Sequence, residues 1–191
     1  MNNQNNLIVS DTNIFIDLIN GNLLEEFFNL PYKISTNILV LNEITDKKEF
    51  NKLSPYIKNK KLDIHAIDTT EMLSILTLKN SSTTSSKLSI QDCSVWHYAK
   101  NTNARLLTGD SRLRKAAEKD GVKVSGILYV LDSIENHKIA SAKKLSKSLK
   151  QIMAKNKQSR LPIAECLKRI NKWDNSKPVP SQSDDHPSPS D

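Results

Sequence analysis

Most of the short motifs that announce an enzyme class are missing from these 191 residues. There is no GxxxxGK followed by Ser or Thr, and no GxGxxG, so nothing in the chain cradles a nucleotide cofactor. No GxSxG places a nucleophilic serine, and Cys93 with His97 one turn on reads as helix packing rather than nucleophile and base. The only cysteines are Cys93 and Cys166, without a CxxC pair, which fits buried thiols in a reducing compartment. The four histidines, at 65, 97, 137 and 186, lack zinc-ligand spacing. No apolar run is long enough to span a bilayer, and no basic then apolar leader opens the chain. The expected setting is cytoplasmic, with no membrane partner; a hydrophobic content of 37% and a mean hydropathy of -0.50 agree.

What the chain does have is acid at points of punctuation. Asp11 closes LIVSD, Glu43 lies in ISTNILVLNEIT, Asp92 in KLSIQDCSVWHYA and Asp110 in ARLLTGDSRLRKAA. Runs 7–11, 32–36, 62–68, 104–110 and 122–126 read as strands, and helical patterns lie between them. This alternation predicts an α/β fold, a three-layer sandwich around a roughly five-stranded parallel sheet. In such a sheet, ligands bind at the carboxyl ends of the strands. Carboxylates gathered there repel one another unless a cation sits among them, and Mg²⁺ or Mn²⁺ prefers oxygen ligands.

The charge is unevenly spread. The first 137 residues are neutral, 138–173 carry 11 Lys and Arg against Glu165 alone, and 174–191 are acidic. The expected organisation is a body over 1–137, a basic helical extension over 138–173 and a disordered tail over 174–191. The extension carries apolar stripes at helical spacing: Ile139, Ala142, Leu145, Leu149 and Ile152, then Leu161, Ala164, Leu167 and Ile170. A basic arm on a neutral body suits a polyanion, although a solvated lysine face is the plainer reading.

Each acid also has a structural role open to it. Ser89 to Asp92 resembles a capping box, and Asp11 and Asp110 are placed to cap the helices they precede. Glu43, inside the helix predicted after the second strand, has a rival in Asp46 one turn later. Three caps would not all need aspartate, since Ser, Thr and Asn serve as well. Phosphodiester cleavage, by contrast, needs such a set: one or two metal ions activate water and neutralise the phosphate.

In their order, DTNIFIDL, NILVLNEIT, LSIQDCSVWHYA and RLLTGDSRLRKAA with VKVSGILYVLD resemble the motifs of PIN-domain nucleases, over about residues 7–136. Within that family the chain looks most like the ribonuclease toxins of bacterial toxin–antitoxin pairs, and its end looks like the helical extension of a larger subgroup. The resemblance implies RNA cleavage dependent on Mg²⁺ or Mn²⁺, with Asp11, Glu43, Asp92 and Asp110 as the catalytic and metal-holding acids. It also implies supporting roles for Asn13, Thr108 and Ser111, and an antitoxin and a second copy as partners. The alternative is a protein-interaction module, binding an antitoxin or itself, with little catalysis of its own. A phosphorylatable receiver is less apt, because DTN supplies one aspartate where two are wanted.

Overall fold

The computed structural model describes residues 6–81, 87–155 and 161–176. Five strands form one parallel sheet: β1 (Leu7–Ser10), β2 (Lys33–Asn37), β3 (Leu62–His65), β4 (Arg105–Leu107) and β5 (Val124–Ser125). Their order is β3-β2-β1-β4-β5. The chain steps outward one way from β1, then crosses to its other side, so β1 and β4 flank the point where the order reverses. There Ser10 pairs with Leu107, and the two following turns face each other.

Neighbouring residues of the central strands face opposite ways, and each face has its own core. Ile8 and Leu107 join one cluster, Val9 and Leu106 the other. The first face is covered by α1 (Thr12–Asn20), α2 (Leu24–Phe28), α4 (Lys47–Lys58), α8 (Ile127–Asn136), α9 (Ala142–Lys155) and α10 (Ile163–Asp174). The second is covered by α3 (Ile38–Leu41), α5 (Thr69–Asn80), α6 (Ile90–Asn101) and α7 (Ser111–Lys119). The three-layer α/β fold expected from the pattern is the fold observed.

Local chemistry explains most boundaries. Asn37 caps α3, its Oδ1 accepting from Leu39 and Val40 N–H. Asp46, Asp68 and Asp110 cap α4, α5 and α7 in the same way. Pro55 sits inside α4 without an N–H to give to Asn51 O, and the Ser54 hydroxyl reaches that carbonyl at 3.4 Å instead. After α7 the chain turns at Gly121, whose φ of 81° suits glycine.

Several expected elements differ. The strand read over 62–68 ends at His65, because Asp68 is taken as the cap of α5. The helix read through NILVLNEIT stops at Leu41, so Glu43 lies in the turn beyond it rather than inside a helix. Among the described residues no strand lies between α5 and α6, and Asp92 belongs to a helix start rather than a strand end. Pro162 caps α10 instead of opening its first turn. The lead-in 1–5, most of the serine-rich loop (82–86), residues 156–160 and the tail from 177 lie outside the described residues.

The basic helices pack into the body. Leu145, Leu149 and Ile152 of α9, with Cys166, Ile170 and Trp173 of α10, belong to the same buried cluster as Phe15 and Leu18 of α1. Gly21 permits this approach, since a Cβ there would stand 2.9 Å from Ile152 Cδ1. Arg169 grips Asp132 of α8 with two bonds, at 2.7 and 2.6 Å. Trp173 is 1% exposed, so Trp173→Ala is expected to cost about 3–5 kcal/mol, read as a lowered denaturant midpoint of the whole domain. Trp173→Phe should cost much less, because the indole N–H has no partner among the described residues. A midpoint unchanged by Trp173→Ala would mean the extension is not part of the core.

Candidate active site

Asp11 stands at the end of β1 and is 3% exposed. Three donors hold its carboxylate: Thr12 N–H at 2.7 Å on Oδ1, and Asn13 Nδ2 at 2.6 Å and Thr108 Oγ1 at 2.8 Å on Oδ2. Asn13 is itself fixed by the Gly109 N–H, which donates to Oδ1 at 2.8 Å. Thr108 accepts from the Asp110 N–H at 3.0 Å while donating to Asp11. The turns after β1 and β4 are thus laced together through the Asp11 carboxylate and the Asn13 side chain.

Burial pushes the Asp11 carboxyl up to about 7. The Thr108 hydroxyl and the Thr12 N–H oppose that shift, while the charges of Asp92 and Glu43 add to it. Among the described residues no cation pairs with Asp11. Asp92 and Glu43 therefore lie near enough for their charge to reach it, although Asp92 starts a helix from the other layer and Glu43 follows α3.

Each remaining acid keeps a structural tie. Glu43 is exposed and accepts from the Thr12 hydroxyl at 2.5 Å. Asp92 and Ser89 complete a capping box. Asp110 is 7% exposed, its Oδ1 accepts from Arg112 and Leu113 N–H, and the Arg112 guanidinium lies 3.8 Å from its Oδ2. Asp46 is spent capping α4 on an exposed surface and is absent from the charges that act on Asp11. Of the two rivals, the geometry favours Glu43. Ser111, exposed at the start of α7, lines a cavity beside the site with Asn13 and Thr108.

Among the described residues, no three His, Cys, Asp or Glu side chains converge tightly enough to hold a metal as they stand. The donor set is nonetheless the kind a hard cation takes: oxygen only, anionic, with a buried member opposed by two like charges. Mg²⁺ retains several of its own waters, which suits acids arranged around a space rather than closed on a point.

Sequence reasoning missed Thr12, whose hydroxyl ties Glu43 to α1, and Gly109, whose N–H sets Asn13. The only signal for either was membership of the DTN and TGD turns. Other chemistry is withdrawn by burial. Cys93 is inaccessible, its thiol pushed up to about 11 by burial, and Trp96, Tyr98 and Trp173 are core residues rather than stacking platforms. Arg114 bonds the carbonyls of Thr108 and Val124 and serves as a brace. His65 and His97 both approach Glu71, at 2.7 and 3.5 Å, away from the acids.

A parallel sheet in this order, with acids gathered near its switch point, puts the candidate site where such α/β sheets bind ligands. A family model described as "DUF3368: PIN domain" matches residues 7–175, and the chain belongs to that family. The match runs through both basic helices. Among the curated proteins none matches. One solved structure that the chain is similar to is the crystal structure of VapBC2 from Rickettsia felis bound to a DNA fragment from their promoter. The identity is 20% and the TM-score 0.47, over 63% of this chain and 98% of that one.

Proposed function

We propose that this PIN domain is an endoribonuclease dependent on Mg²⁺ or Mn²⁺, and that it acts in the cytoplasm as the toxin of a toxin–antitoxin pair. Asp11 carries the proposal: a caged, desolvated carboxylate facing two other acids, with no cation among the described residues to answer it. Asp11, Glu43, Asp92 and Asp110 would hold the ion. Bound there, it would lower the pKa of a water and offset charge on the phosphate. The chain's own work is positional. Asn13 and Thr108 fix Oδ2 of Asp11, and the Thr12 hydroxyl holds Glu43. In-line displacement would leave 5′-phosphate and 3′-hydroxyl ends.

The purified chain should cut RNA with Mg²⁺ or Mn²⁺ and stop in EDTA. Glu43→Gln should slow it by about 10–100-fold, whereas Asp46→Asn should leave the rate within about twofold. Cleavage that persists in EDTA would end the metal assignment, and the reverse ranking would transfer the role to Asp46.

Two groups among the extension's eleven basic residues differ in what they meet. Lys144, Lys150, Arg169 and Lys172 pair with Glu26, Asp174, Asp132 and Glu135 and fasten the helices down. Lys143 and Lys147 are exposed on one face of α9 and have no ion pair among the described residues. These would meet RNA phosphates. Lys143→Glu with Lys147→Glu should lower the slope of log K against log salt by about 1–2. An unchanged slope would leave the face merely solvated.

Protein partners are part of the proposal, as antitoxin or second copy. Leu73 is 61% exposed and Leu76 38% on α5, and Ile163 and Leu167 are 60% and 48% exposed on α10. These favour the second reading, an interaction module, only if the chain associates and does not cut. Light scattering beside the cleavage assay separates the two. Among the described residues, no helix is long and apolar enough to cross a membrane.

A further inference from the structure

A cavity of about 500 Å³ opens beside the acidic site. Its lining includes Asn13 and Thr108, which bond the Asp11 carboxylate, and Gly109, whose N–H fixes Asn13. Leu128, Leu161 and Pro162 form an apolar wall, the last two contributed by the segment that leads into α10. The volume lies in the range of sites that hold small organic groups.

Two glycines stand in this lining, each packed closely on a neighbour. The chain has only four glycines, and two of them, Gly109 and Gly126, line this cavity. Neither has a positive φ, so backbone conformation does not demand glycine at either place. Room does. A Cβ at Gly109 would stand 3.1 Å from Asn13 Oδ1, and one at Gly126 would stand 3.2 Å from the Arg114 guanidinium. A Cβ at either position would press on a braced neighbour: Asn13, which orients Asp11, or Arg114, which bonds the Thr108 carbonyl.

The lining is thus polar and braced in part, with the charged Asp17 and Arg114 in it, and apolar in part, and it includes the Asn13 and Thr108 that bond Asp11. A phosphate alone has no use for the apolar wall, and an acyl chain has none for the polar one. A nucleobase has flat apolar faces and a polar edge, and matches both. We propose that the cavity receives the base of the nucleotide adjoining the scissile phosphate, so that Leu161 and Pro162 take part in choosing where RNA is cut. This rests on the nuclease reading for the word scissile, but base binding itself does not.

The test therefore has a binding arm and a cleavage arm, both with the full chain. In the first, the four nucleoside 5′-monophosphates and ribose 5-phosphate are titrated in by calorimetry. At least one nucleotide should bind about tenfold or more tighter than ribose 5-phosphate. Leu161→Trp, at a half-buried position that makes no bond to the acids, should abolish that advantage and leave ribose 5-phosphate unaffected. In the second arm, cleavage ends are sequenced. Wild type should favour certain bases beside the cut, and both Leu161→Trp and Leu161→Ala should flatten or change that preference. Equal binding of ribose 5-phosphate and nucleotides, or a preference untouched by both variants, would overturn the proposal. Nucleotide binding sensitive to Leu161→Trp without any RNA cleavage would support the pocket and sink the nuclease reading instead. A pocket that binds free nucleotides while cleavage preference stays fixed would refute the link to the strand.

Discussion

Asp11→Asn is expected to reduce Mg²⁺-dependent RNA cleavage by at least about a hundredfold, since even partners of metal ligands are worth 10–100-fold. The structure gives two separate reasons. The substitution removes the negative charge that a cation would answer. It also disturbs the cage, because three donors converge on two carboxylate oxygens, and an asparagine offers them one oxygen and an NH₂. Thr12 N–H or the pair Asn13 and Thr108 must then lose an acceptor. Asn13→Ala separates the two effects. It keeps the charge and removes one donor and the Gly109 tie, so it should cost less than Asp11→Asn. Cleavage at the wild-type rate by Asp11→Asn protein would remove the acid site from the mechanism.

The elements around Asp11 were readable because they depend on neighbours in sequence. The apolar run of β1, the cap at Asp11 and the stop at Gly21 are local, as is the capping box at Ser89. Glu43 was misread for a related reason. ILVL looks like the start of a long helix, but Asn42 closes α3 after a single turn. That places Glu43 where it meets the Thr12 hydroxyl, 31 residues away in sequence. The bond from Thr108 to Asp11 spans 97 residues. Such contacts follow from strand order, which periodicity does not encode, and the same is true of Leu161 and Pro162 at the cavity. The sequence pointed to Asp11, Asp92 and Asp110 as carboxylates at element ends, and to Glu43 inside a helix. That the charge of Asp92 acts on Asp11 from a helix with no strand before it among the described residues, and that four of the arm's eleven basic residues are held in ion pairs, are products of packing.

Mg²⁺ should stabilise the protein strongly at pH 8 and scarcely at pH 5. The Asp11 carboxyl has its folded pKa at about 7 against an ordinary 3.8, with burial as the chief cause. Between those values the native state retains a proton that the unfolded chain has released. Stability of the metal-free protein should therefore be highest near and below pH 4 as far as this group is concerned. It should fall as pH rises toward 7, by a few kcal/mol, and level off above. Asp11→Asn protein lacks the group, so the difference in unfolding free energy between wild type and variant isolates its contribution from that of every other acid. A divalent ion competes with that proton. Its effect on Tm should grow from pH 5 to pH 8 in wild type and vanish in the variant. A wild-type-minus-variant difference that is flat from pH 4 to 8 would show that Asp11 ionises normally and needs no cation. A difference that falls with pH but is not restored by Mg²⁺ or Mn²⁺ would leave the strained carboxylate real and its partner something other than a divalent metal.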